Sequence, residues 1–111
     1  MDIDEAIRFL DPETTAKAIG EVEYYGGFNG RKKAIEKVNE SCDIAVAVME
    51  SYKKIQSILN IALEKENLTY ADLKDVFDFT SRIVSSTSEQ IKNIDSIYTE
   101  KEENQDEELE Q

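Results

Sequence analysis

The sequence predicts an all-α fold: a long antiparallel helical hairpin with two short N-terminal helices and a disordered acidic C-terminal tail. Apolar residues recur three and four positions apart over long stretches, which is the spacing of one face of a helix. The 111 residues include one proline and four glycines, and all five lie at or before Gly30. Charged residues make up 34% of the chain, which suits helices that bury one stripe and expose the rest. A chain of this length is one domain; we assign it to residues 1–99, with the tail at residues 100–111.

Residues 1–30 are predicted to form two short helices and a glycine turn. Asp2 is placed to cap the first helix, whose apolar face consists of Ile3, Ala6, Ile7 and Leu10. Asp11 and Pro12 are predicted to end that helix and to open the second, with Asp11 as N-cap and Pro12 at the first helical position. Gly26 and Gly27 are predicted to end the second helix.

Residues 31–66 are predicted to form one long helix that is apolar on two flanks. The first row alternates steps of three and four, with Gln56 where an apolar residue is due; it consists of Ile35, Val38, Cys42, Ala45, Met49, Tyr52, Leu59 and Leu63. A second stripe lies beside it and consists of Ile44, Val48, Ile55, Ile58 and Ala62. We expect the first row to be a buried, coiled-coil-like seam and Cys42 to be an inert buried thiol. Both flanks must be covered.

Residues 69–98 are predicted to form the return helix. Thr69 and Asp72 have the spacing of a capping box. The apolar row that follows consists of Leu73, Phe77, Thr80, Val84, Thr87, Ile91, Ile94 and Tyr98. The link from the long helix is short, so we expect the two helices to run antiparallel. Residues 100–111 hold seven acids and one lysine and have little to bury, which predicts disorder.

The composition argues against catalysis. The chain has no histidine and a single cysteine, so it lacks the parts of a Ser–His–Asp triad, a Cys–His pair or a zinc site. We therefore expect no enzyme activity, no metal and no cofactor. The net charge of −12 disfavours direct binding to nucleic acid. No apolar stretch approaches the roughly 18 residues of a membrane span, so we expect a cytoplasmic protein.

Three short motifs suggest an origin for the chain. Leu10–Thr14 reads L-D-P-E-T, Glu23–Gly30 fits E-Y-Y-x-G-F-x-G, and Val38–Cys42 fits V-N-E-A-C with Ser41 in place of alanine. In these motifs, residues 2–52 resemble an uncharacterised family of very short proteins encoded by bacteriophages and prophages of low-GC Gram-positive bacteria. The resemblance implies a phage origin, with the host cytosol as the site of action, and it brings no catalytic residue with it.

The aromatic residues of the turn, Tyr24, Tyr25 and Phe28, have two interpretations. In the structural one, which we favour at this stage, the rings cover the top of the long helix. In the functional one, they form an aromatic hot spot that binds a partner protein.

The function predicted from these observations is that of a non-enzymatic phage or prophage accessory protein acting by protein–protein contact. We expect it to form a homo-oligomer, most simply two hairpins in a four-helix bundle, because one neighbour cannot cover both flanks of the long helix. The alternative is an acidic nucleic-acid mimic that inhibits a host nucleic-acid enzyme or an antiphage defence complex.

Overall fold

The computed structural model of the protein describes the backbone of residues 1–110 and the side chains of residues 1–103. Over this part of the chain the protein is all-α, as predicted. Four α-helices and one short 3₁₀ helix follow in the order α1 (Ile3–Leu10), α2 (Thr15–Tyr25), the 3₁₀ helix (Gly27–Asn29), α3 (Gly30–Leu63) and α4 (Tyr70–Glu110). The chain divides into two compact units.

The first unit comprises Met1–Ala45 together with Ile91–Gln111. Its buried residues come from all four helices and include Ala6, Phe9, Ala18, Ala34, Ile44 and Tyr98. The antiparallel direction of α3 and α4 is visible here in two contacts. The Tyr98 hydroxyl donates to Asp43 at 2.7 Å, and Lys37 pairs with Glu102 at 3.0 Å.

The second unit is Val46–Gln90, an antiparallel pair of helices joined by the link between Leu63 and Tyr70. The hydroxyls of Ser51 and Thr87 form a hydrogen bond across it. The predicted hairpin is thus confirmed, because within each unit the residues of α3 meet residues of α4 in reverse order.

The helix α1 begins as predicted but buries a different face. Asp2 caps it by accepting a hydrogen bond from the Glu5 amide at 2.8 Å. Of the predicted apolar face only Ala6 is buried, while Ile3, Ile7 and Leu10 are exposed. Phe9 is buried instead. The reason is that α1 turns its largest side chain toward the core, and this turns the other apolar row toward solvent.

The predicted start of α2 at Pro12 was wrong, since the helix begins at Thr15. The Asp11 carbonyl accepts from the amides of Thr14 and Thr15, and the Asp11 carboxylate accepts from the Glu13 amide at 2.9 Å. These bonds hold residues 12–14 in a separate turn, which delays the helix.

The turn between α2 and α3 requires glycine for steric reasons. Gly26 ends α2, as predicted, with its amide bonded to the Val22 carbonyl at 2.8 Å. Gly27 has φ of 66°, a conformation that favours glycine. A Cβ on Gly30 would lie 2.1 Å from the Glu23 carbonyl oxygen, so α3 begins in direct backbone contact with α2.

The return helix begins where predicted and ends later. The Asp72 amide donates to Thr69 Oγ1 at 3.1 Å and the Thr69 amide donates to Asp72 Oδ2 at 3.0 Å, which is the predicted capping box. The helix continues past Tyr98, so residues 100–103 are helical and the tail predicted from residue 100 was wrong over this stretch. The ion pair of Glu102 with Lys37, and Lys101 above the Tyr98 ring at 4.5 Å, hold these residues on the first unit. The side chains of residues 104–111 lie outside the described residues, and the disorder predicted for them stays a prediction.

Two glycine-to-alanine changes should shift stability in opposite directions. We expect Gly30→Ala to destabilise the protein by about 1–3 kcal/mol, since its methyl would overlap the α2 backbone. Gly20→Ala should stabilise it by about 0.5–1 kcal/mol, because Gly20 lies inside α2 with open space around its Cβ position. Urea denaturation of full-length protein at equal concentration measures both, and equal shifts for the two variants would contradict the close contact.

The cap on α4 should give the protein a defined pH dependence. The hydrogen bond from Lys65, followed by those from Thr69, lowers the pKa of the Asp72 carboxyl from 3.8 to about 2. A carboxyl group whose pKa is lower in the folded than in the unfolded protein stabilises the fold at pH values above its unfolded-state pKa. This contribution is lost as the pH falls through the folded-state pKa of the same group.

We therefore expect the melting temperatures of the wild type and Asp72→Asn to differ most above pH 4 and to converge by about pH 2. Circular dichroism melts at pH 5, 4, 3 and 2 provide the comparison. A difference that stays constant over this range would show that Asp72 acts through its shape alone.

Candidate interaction surfaces

The aromatic turn presents its rings to solvent. The side chains of Tyr24 and Tyr25 are each 80% exposed, and Phe28 is 94% exposed. The two tyrosine rings make an edge-to-face contact, with centroids 5.0 Å apart and planes at 88°. Beside the turn, α2 and α3 form an open groove of ≈ 240 Å³ whose apolar lining includes Ile19 and Ile35.

The structural interpretation of the turn was therefore wrong. The glycines have steric roles, but the rings do not cover α3. With α2 and α3 in backbone contact at Gly30, there is no gap at that point for a ring to fill. Exposed aromatic residues are enriched in protein-binding sites, and the assignment of Tyr24, Tyr25 and Phe28 to partner binding stays a prediction.

The inward rows of the second unit are only partly buried. Its two helices face each other along rows whose members lie three or four positions apart: Val48, Ser51, Ile55, Ile58 and Ala62 on α3, and Asp72, Val76, Thr80, Ile83 and Thr87 on α4. Within these rows only Ala62 and Thr87 are fully buried, and the other eight are partly exposed. The larger apolar side chains of the rows, which are valines and isoleucines, therefore remain partly exposed to solvent.

Seven of the exposed large apolar side chains of this unit lie on one open face. In each helix they follow the inward row by one position, and in an antiparallel pair two rows displaced in the same sense lie on the same side. We define this open face as Met49, Tyr52, Gln56, Leu59 and Leu63 of α3 with Leu73, Phe77, Ser81, Val84 and Ser88 of α4. All ten residues are exposed and uncharged.

The opposite side of the second unit has a different character. The residues that precede the inward rows by one position include charged ones such as Glu50 and Arg82 and two exposed apolar ones, Ile61 and Phe79. Large exposed apolar side chains are thus more numerous on the open face, where there are seven, than on this side, where there are two. A contiguous apolar surface of this kind marks an interaction site more often than scattered apolar residues do.

The predicted seam of α3 is on the wrong side of the helix. The second stripe, with Ile44 and Ala62 buried, faces α4. The first row is exposed at Ile35, Cys42, Met49, Tyr52, Leu59 and Leu63. In α4, Leu73, Phe77 and Val84 are likewise exposed, whereas Thr87 and Tyr98 are buried as predicted. Cys42 is therefore an exposed thiol and not a buried one. Both stripes have helical spacing, so the periodicity could not decide which one meets α4.

The first unit contains a buried ionic cluster that the sequence did not predict. The α-amino group of Met1 contacts Asp95 of α4 and lies 3.8 Å from Glu40 Oε2 of α3. Glu40 is 2% exposed, and burial raises its pKa against the opposing pull of the amino group and Lys37. The cluster joins the start of the chain to both long helices. Tyr98 also joins α4 to α3, because its hydroxyl donates a hydrogen bond to Asp43. Burial and this bond raise the pKa of the Tyr98 hydroxyl.

Other kinds of site find little support in the residues that the structure describes. Among them, no group of three or more histidine, cysteine or acidic side chains is arranged to hold a metal ion. None of the helices in this part of the chain is both long and apolar enough to cross a membrane. A search of family models, curated proteins and solved structures finds no match to the chain. The surfaces themselves are therefore the basis for assigning a function.

The exposure of the aromatic turn predicts that its rings do not stabilise the fold. Replacing Tyr24, Tyr25 and Phe28 together by serine should change the free energy of unfolding by less than about 0.5 kcal/mol per residue. Phe9→Ala is the control, because this buried ring should cost about 3–5 kcal/mol. Thermal denaturation of both variants is the measurement. A large loss in the triple variant would restore the structural interpretation.

Proposed function

We propose that the protein is a non-enzymatic phage or prophage accessory protein that acts by protein–protein contact and self-associates through its long helices. The observation that carries the proposal is the open face of Val46–Gln90. Large apolar side chains with helical spacing lie there in solvent, beside inward rows that the pairing of the two helices buries only in part.

The energetics favour an occupied open face. Seven large apolar side chains on it are exposed: Met49, Tyr52, Leu59, Leu63, Leu73, Phe77 and Val84. At roughly 100 Å² each they expose roughly 700 Å², close to the ~800 Å² that each partner buries in a standard interface. Burial is worth about 25 cal/mol per Å² before the costs of association are subtracted. Burial of the open face would add apolar contact to a unit whose inward rows are only partly buried.

The titratable groups also support a non-enzymatic role. Asp72 is engaged in the cap of α4, and Tyr98 is bonded to Asp43. Glu40 lies next to the Met1 amino group inside the first unit. In each of these groups the shifted pKa accompanies a contact that joins parts of the fold, which is a common structural cause of such shifts.

The acidic nucleic-acid mimic is the second candidate, and the charge distribution favours it. The residues outside Val46–Gln90 carry 18 acids and 8 bases, which gives −10 of the total −12. A concentration of negative charge can occupy the basic groove of a nucleic-acid enzyme. Salt separates the two candidates: a charge mimic releases its partner as salt rises, whereas apolar self-association persists.

The self-association test compares matched positions on the two sides of the second unit. We expect the wild type to sediment as a dimer at micromolar concentrations in low and in high salt. The double variant Leu59→Gln/Phe77→Gln should raise the dissociation constant by about 100-fold or more, as expected for central apolar contacts.

Ile61→Gln/Phe79→Gln is the control for this test. Ile61 is 57% exposed and Leu59 is 43% exposed, but Ile61 lies on the opposite side of α3. The control should therefore leave the dimer intact. A wild-type protein that stays monomeric at about 100 μM, where even weak dimers are populated, would refute self-association.

A further inference from the structure

We propose that the open face of the second unit binds the open face of a second copy of this chain, with the two α3 helices antiparallel and Gln56 of each copy at the two-fold axis. This inference rests on the proposed function and adds to it the orientation and the register of the dimer. It makes the surface isologous, so that each copy uses the same residues.

The spacing of the open face specifies helices as its occupant. On α3 its residues follow in steps of three and four from Met49 to Leu63, which is the heptad pattern of a coiled-coil seam. Side chains with this spacing insert between four residues of a facing helix. A second copy supplies α3 with this spacing and α4 with residues that also lie three or four positions apart, and the product is a four-helix bundle.

The open face has a centre that divides it into similar halves. On α3, Met49 and Leu63 each lie seven positions from Gln56, and Tyr52 and Leu59 lie on either side of it. Antiparallel pairing about Gln56 therefore brings Met49 to the partner's Leu63 and places Tyr52 within one position of the partner's Leu59. Each of these contacts joins two apolar side chains.

The centre of α4 lies at the same level. The contacts of Ser51 with Thr87 and of Lys65 with Asp72 fix the register of the two helices within the unit. By this register Gln56 lies across from Ser81, the polar residue between Phe77 and Val84. The two polar residues thus form one band across the middle of the face, whose other members are apolar except Ser88 at one end.

A polar band at the two-fold axis satisfies its own hydrogen bonds. A glutamine amide has both a donor and an acceptor group, so Gln56 and the partner's Gln56 can bond to each other. Any slip in register would bury each amide against apolar side chains, at the cost of an unmade hydrogen bond. A single polar residue in a seam fixes the register of coiled coils in this way.

Charge selects the antiparallel orientation over the parallel one. Val46–Gln90 carries seven acids and five bases, for a net charge of −2, so two copies of this segment repel each other little. The rest of the chain, at −10, joins the second unit at a single end, where Val46 and Gln90 lie. Antiparallel pairing puts the two attachment points at opposite ends of the bundle, and parallel pairing puts them at the same end, where like charges repel.

Disulfide cross-linking in the full-length chain tests the orientation. Cys42, the only cysteine, is first replaced by serine, and single cysteines are introduced as Gln56→Cys and Ser81→Cys. Antiparallel pairing brings each cysteine close to its own copy, so each variant alone should form a covalent dimer. Parallel pairing would instead place α3 against the partner's α4, and only a mixture of the two variants would cross-link.

We expect each variant alone to give at least about tenfold more covalent dimer than Lys54→Cys, an exposed control on the opposite side of α3. Cross-linking only in the mixture, or no excess over the control, would overturn the antiparallel arrangement. Sedimentation of the reduced variants tests self-association separately from the orientation of the two copies. A dimer with the wrong cross-links refutes this arrangement alone, whereas a monomer refutes the proposed function as well.

Discussion

The two apolar rows of α3 are the constraint on which the rest of the second unit depends. A straight helix meets one neighbour along one row, so α4 can cover only one of them. It covers the row that contains Ser51 and Ala62, where small side chains allow the helices to approach closely enough for the Ser51–Thr87 hydrogen bond. The row with Met49 and Leu59 is left outside.

The two units differ in how their cores are filled. The first unit buries Phe9, Ile44 and Tyr98, which are large side chains contributed by three different helices. The second unit fully buries only alanines and a threonine among its described residues. Since each buried methylene contributes about 0.8 kcal/mol, the complete burial of these large side chains favours the core of the first unit. The open face is therefore where the second unit has stability still to gain.

The features that the sequence predicted correctly are decided within a few residues. The cap at Asp2, the capping box of Thr69 and Asp72 and the helix end at Gly26 each depend on a local hydrogen bond. The all-α class and the hairpin follow from periodicity and a short link. These are properties that neighbouring residues impose on one another.

The features that the sequence did not predict depend on which faces of two different helices come into contact. Periodicity identified both apolar stripes of α3. The stripe with Met49, Tyr52 and Leu59 was predicted to be the buried one, but it is exposed. The polar side chain of Thr87 is buried because Ser51 lies opposite, and this becomes visible only once the register of the two helices is known. The rings of the glycine turn are exposed because α2 and α3 touch at the backbone of Gly30. In each case the outcome depends on the distance between two helices, which no local pattern determines.

The distribution of charge along the chain affects how many copies can associate. An apolar face can promote open-ended association when a second complementary patch lies elsewhere on the molecule. Here the segment with the open face carries −2, and the remainder carries −10. An isologous dimer uses both open faces, and the charge of the acidic remainders repels further copies. In the proposed dimer, the negative charge of each copy therefore favours closure at two copies over a filament.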